Sequence, residues 1–240
     1  MIKQFLVNHR QQEVLNWTFG IGVAILLLGF IDSFVNTSDR VYGLFVDAIS
    51  PIDMSNMVAV VKEVVMCVCT LSMWELLRRS LYRRNHFALQ LSLVVMMVLV
   101  LLGVVIATIP SGDVLTDTGV VRHTSFGTFK STFPFFNHIA IYLAGVFVGV
   151  GLIRNYFGNL RFYGWALITF PVLDNLFQFG YYYLYTQVGG LTVNDLSTWN
   201  SVLRVAQFGL TLCSFCLLRF TMSSDASETN GDDSDINPYQ

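Results

Sequence analysis

Chemistry in this chain is confined to a few ionisable and amide side chains set within apolar segments. Lys62 and Glu63 are adjacent in one such segment, Asp174, Asn175 and Gln178 lie in a second, and Arg204 and Gln207 in a third. Asn137 and His138 are expected to open a fourth, and Asp32 sits near the end of the first. Ionisable groups in spans are costly to bury and mark pairing or function. Asp174 and Gln178 are four apart and Tyr181 is seven from Asp174, so all three share one helical stripe. Arg204 and Gln207, three apart, share another. Pro171 precedes Asp174 by about one turn and frees a backbone carbonyl there. Two cations, Lys62 and Arg204, stand against three acids, Asp32, Glu63 and Asp174, and the preferred pairing is Asp174 with Lys62 or Arg204. Groups of both signs suit a small zwitterionic solute or a coupled proton. The same groups can instead fix helix register as buried pairs.

The residues assigned to a ligand are therefore Lys62, Glu63, His138, Asp174, Gln178, Arg204 and Gln207. No residue is assigned to catalysis or to a metal, and no cofactor is expected. Cys67 and Cys69, and Cys213 and Cys216, lie inside apolar segments, where cysteine packs as a small apolar residue. His86 and His138 fall at opposite boundaries and cannot share a haem. His123 and His138 can meet only if the loop between them folds back, beside Asp113, Asp117 or Glu63. The chain has no phosphate-binding glycine loop, no His-Glu-x-x-His and no Gly-x-Ser-x-Gly. Trp74, Tyr156, Tyr163 and other aromatics near segment ends are read as an interfacial belt.

Positioning these groups requires a membrane. Of 240 residues, 54% are hydrophobic and only 12% charged, about half the charge of an average soluble domain. A soluble enzyme, a disordered chain and a nucleic-acid binder are excluded. Six runs approach the roughly 20 apolar residues of a span: Leu15–Val35, Met54–Leu77, Phe87–Ile109, Phe135–Phe157, Phe162–Thr186 and Ser201–Phe220. Backbone groups in lipid must bond internally, so each should be a helix. The first run is expected to be a retained signal anchor. The fold class is thus an all-α integral membrane protein, a six-helix transmembrane bundle over residues 1–220.

Basic residues orient it. With the N-terminus inside, Lys3, Arg10, Arg78, Arg79, Arg83, Arg84, Arg154, Arg161 and Arg219 are cytoplasmic, against Arg40, Arg122 and Lys130 outside. That bias puts both termini in the cytoplasm of a multi-pass protein in a cell or inner membrane. The same arginines can also meet anionic lipid headgroups. An outer loop, residues 110–134, is long enough to imply a role, and its Val120–Thr124 stretch reads as a hairpin strand or part of a lid. Residues 221–240 carry Asp225, Glu228, Asp232, Asp233 and Asp235 without a base and read as a disordered acidic tail. The bilayer is one partner. The Gly145-x-x-x-Gly149 face suits close helix packing or dimerisation, and offers a face to a second copy or a complex subunit. No nucleic acid is expected.

The functional expectation is an outward-half polar cavity that binds or transports a small polar solute or ion. A non-catalytic assembly subunit is the alternative, and a lipid-acting membrane enzyme using His138 is the second.

Overall fold

A computed structural model describes residues 4–35, 54–82, 86–109, 111, 114–115, 121–122, 124–187 and 193–224. Among them are six helices: α1 (His9–Val35), α2 (Met54–Tyr82), α3 (Phe87–Thr108), α4 (Ser125–Asn155), α5 (Asn159–Gln187) and α6 (Val193–Phe220). Four contain stretches long and apolar enough to cross a membrane: His9–Ile31, Phe87–Thr108, Ser125–Asn155 and Asp195–Phe220. The remaining two, α2 and α5, carry Lys62, Glu63 and Asp174 within their length. Large apolar side chains cover the exterior, Trp17 and Phe87 each 73% exposed, as a chain embedded in lipid requires.

Each helix packs on its chain neighbours, and α6 returns to pack on α1. The result is a ring in sequence order. Two short strands close it at one end. Strand β1 (Phe5–Val7) pairs in parallel with β4 (Met222–Ser224), Phe5 opposite Met222. The Phe220 carbonyl, left open at the end of α6, accepts from Gln4 Nε2 at 2.9 Å and Asn159 Nδ2 at 3.0 Å. Arg219 donates from Nε and Nη2 to Asn16 Oδ1 at 3.2 and 2.6 Å, holding α6 to α1. Leu15, Leu77, Leu81, Leu152, Leu160, Tyr163, Leu218 and Met222 form the fully packed core beside this clasp. The tail boundary expected at 220 therefore moves. Thr221 and Met222 are buried and residues 222–224 are a strand, while the acidic stretch 225–240 lies outside the described residues.

The loop expected at residues 110–134 is also shorter. Helix α4 starts at Ser125, because Thr124 caps it: its Oγ1 accepts from Gly127 N at 2.9 Å and donates to Ser111 O at 2.7 Å. Proline usually signals an end, but Pro134 lies inside this helix. It costs one backbone bond, and the turns before it are held by Phe126, Phe129 and Phe133 stacking along one face and by Lys130 Nζ on the Ile109 carbonyl at 2.6 Å. The expected strand near Val120 is present as β3 (Val121–Arg122), antiparallel to β2 (Val114–Leu115).

The α4–α5 turn uses Gly158 at φ 63°, a left-handed conformation that costs glycine little. Above that turn α4 and α5 cross at Gly149 and Gly164. A Cβ on Gly149 meets the Gly164 carbonyl at 2.6 Å, and one on Gly164 meets the Gly149 carbonyl at 2.8 Å. Of the two uses expected for the Gly145–Gly149 stripe, close helix packing or dimerisation, the structure shows packing against α5 of the same chain. Its small residues let two backbones touch, which is how helices gain dispersion contact in lipid. Gly149→Ala should destabilise the folded chain by about 1–3 kcal/mol through overpacking. Gly20→Ala, where a Cβ meets nothing within 4 Å, should leave stability unchanged or slightly higher. Thermal melts of the purified variants check both.

Candidate functional site

Two adjoining cavities occupy the half of the ring away from the clasp. The first, about 500 Å³, is bordered by Lys62, Glu63 and Cys67 of α2, by Gly29 and Phe30 of α1, and by Arg204 and Gln207 of α6. The second, about 520 Å³, is bordered by His138 of α4, by Pro171 and Asp174 of α5, and by Gln207 and Ser214 of α6. They share Met66, Thr70, Gln207 and Thr211. The two hydroxyls bond to their own helices, Thr70 to Met66 O and Thr211 to Gln207 O. That leaves the Gln207 amide as the polar side chain at the seam.

Gln207 Nε2 donates to Asp174 Oδ1 at 2.8 Å, and Gln178 Nε2 donates to Asp174 Oδ2 at 3.0 Å. This corrects the expected pairing of Asp174 with Lys62 or Arg204. The four-residue spacing of Asp174 and Gln178 makes their contact local, while Gln207 crosses from α6. Two amide donors satisfy the carboxylate oxygens without cancelling their charge. The cavities therefore differ in charge: the first carries two cations and one acid, Lys62, Arg204 and Glu63, and the second carries Asp174. Asp174, Lys62, Arg204 and Gln207 are half-buried, and Glu63, His138 and Gln178 are exposed.

His138 does not open its helix. It lies thirteen residues inside α4, because the helix begins at Ser125. It borders the second cavity and a neighbouring one of about 420 Å³ that also contains Asn175 and Gln178. Its neighbour Asn137 turns to α3, donating from Nδ2 to Leu99 O at 3.2 Å over Gly103. His123, Asp113 and Asp117, the other members of the possible outer acid–base site, lie outside the described residues, as does the side chain of Asp32. Cys67 borders the first cavity, Cys69 is buried, Cys213 is exposed, and all four cysteines are free.

The floor of the second cavity was not legible in the sequence. Trp74 Nε1 donates to Tyr163 OH at 3.0 Å across the ring, from α2 to α5. Trp74 is 8% exposed, Tyr163 1% and Tyr156 2%. These three were expected at the lipid interface, and they are core instead. The misleading signal was depth: aromatics near a span's end read as a belt, and only their neighbours show which way they face. Pairing of the Trp74 indole N–H with the Tyr163 phenol is what makes the burial of those two possible.

The seam can be tested directly. Asp174→Ala and Gln207→Ala should each destabilise the chain, and the double variant should lose less than their sum, with a coupling of about 0.6–2 kcal/mol. A double-mutant cycle read by denaturation checks this, and strict additivity is the outcome that rejects the contact. Compared with protein-family models, curated proteins and solved structures, the chain matches none.

Proposed function

We propose that this chain is a six-span membrane protein that binds or transports a small polar solute or ion in the cavities opposite its clasp. The observation that carries the reading is the seam itself. Two cavities of about 500 Å³ and 520 Å³ meet at Gln207, with Lys62, Glu63 and Arg204 on one side and Asp174 on the other. A volume near 1,000 Å³ or below is in the usual range for a small-molecule site. Asp174 takes amide donors from Gln178 and Gln207, and no member of the set is fully buried. Arg154, Arg161 and Arg219 lie near the clasped end, where Asn159 meets Phe220 and Arg219 meets Asn16. By the positive-inside rule that end is cytoplasmic and the cavities open outward.

A second reading has one observation behind it. His138 and Asp174 border the same cavity, so an acid–base role for His138 in a lipid-acting enzyme is the alternative. The assembly-subunit reading loses its glycine face to α5.

Single-cysteine variants at positions 63, 174 and 204, in a cysteine-free background, are the test. A membrane-impermeant thiol reagent added from outside should label all three, and Asp174→Asn should abolish solute-dependent protection while leaving folded yield intact. Labelling of outer-loop controls with none of the three would reject a water-filled site. Loss of a lipid-modifying activity in His138→Ala, with labelling unchanged, would favour the second reading.

A further inference from the structure

A separate groove lies at the clasped end, between the start of α3 and the end of α4. It measures about 700 Å³. Its rim is polar: His86, Arg154 and Asn155. Its floor is apolar: Leu89, Phe147 and Val150. Phe147 precedes Arg154 by seven residues, two turns or about 10 Å along the helix. Polarity therefore falls along the helix axes, from the end of the bundle inward, as it does along a phospholipid from phosphate to acyl chain. Among the described residues no carboxylate borders the groove.

The arginines near this end differ in what they touch. Glu75 takes Arg78 through two bonds, 2.6 and 2.7 Å, and Arg79 through one at 2.9 Å. Arg219 is held by Asn16 and by the Met222 carbonyl at 3.1 Å. Arg161 lies 5.7 Å over the Phe157 ring. Arg154, by contrast, has no hydrogen-bond or ion-pair partner among the described residues; it is exposed and borders the groove. Phe87 and Phe147 beside it are 73% and 54% exposed. The first turn of α3 forms one wall, and no side chain caps it.

We infer that this groove holds an anionic phospholipid, its phosphate on Arg154 and the upper part of one acyl chain along Leu89, Phe147 and Val150. The guanidinium fork matches phosphate oxygens, and a cation at the cytoplasmic headgroup level favours anionic over zwitterionic lipid. The groove is at the opposite end from the solute cavities, so either assignment stands without the other.

Native mass spectrometry of the purified full-length chain, offered equal phosphatidylglycerol and phosphatidylcholine of matched chains, tests this. The wild type should retain phosphatidylglycerol about fivefold over phosphatidylcholine. Arg154→Gln should remove the preference, Arg154→Lys should keep most of it, and Arg10→Gln, away from the groove, should leave it intact. Val150→Trp fills the floor and should lower retention of both lipids. If Arg154→Gln does not fold, Val150→Trp decides alone, unchanged retention counting against the groove. Preference that survives Arg154→Gln, or that Arg10→Gln removes equally, overturns the proposal.

Discussion

Closure of α6 onto α1 is the constraint on which this structure depends. The extensive helix packing otherwise joins chain neighbours, with the Trp74–Tyr163 bond as a link across the ring, while the α1–α6 seam joins segments nearly two hundred residues apart and must be made by side chains. In lipid there is little hydrophobic drive to bring such helices together, so close packing and hydrogen bonds supply it. Phe30 stacks on Phe208 at 4.3 Å, and Phe19 on Phe215 at 5.6 Å. Gly22 makes the second stack possible, since a Cβ there meets Phe215 Cζ at 2.5 Å. Below them the β1–β4 pair and the doubly accepted Phe220 carbonyl finish the seam. Backbone groups that end two helices and two tails are satisfied together, which an apolar surrounding demands.

Closure at one end leaves space at the other. Large buried side chains crowd the clasped half, and Trp74 and Tyr163 bridge the ring above them. Beyond that bridge the walls carry smaller and polar groups, and the two cavities begin. Both prolines within helices, Pro134 and Pro171, lie in this half, each removing one backbone bond from a wall. The carbonyl released by Pro171 belongs to Leu167, which lies 3.9 Å from where a Cβ on Gly145 would stand. The small residue thus accommodates the backbone that the proline loosens. Asp174 sits one turn further on, its charge kept by neutral donors rather than by a cation.

The basic residues at the clasped end divide their work in a way that charge counting hides. Arg78 and Arg79 share Glu75, and Arg219 is part of the helix seam. These residues have structural partners of their own. Arg154 alone among these four borders a groove with an apolar floor. A count of arginines treats all of them alike, because it contains no information about the acid one turn away.

Composition and run length together determine that this chain is helical, with helices long and apolar enough to cross a membrane, since those properties depend on each residue's transfer energy and not on its neighbours in space. The helical stripe joining Asp174 to Gln178 was equally legible, because a contact four residues apart is fixed by the pitch of one helix. So was the short hairpin near Val121. Helix α4 was misread at its start, where a cap by Thr124 outweighs the warning given by Pro134. Everything that joins two helices was decided by tertiary structure. Periodicity places Gln207, Trp74, Tyr163 and the Gly149 stripe on a face of a helix, but several helices compete for each face. Gln207 rather than Arg204 reaches Asp174, and α5 rather than a partner covers Gly149, because of how the closed ring sets helix depth and rotation, and no local pattern records either.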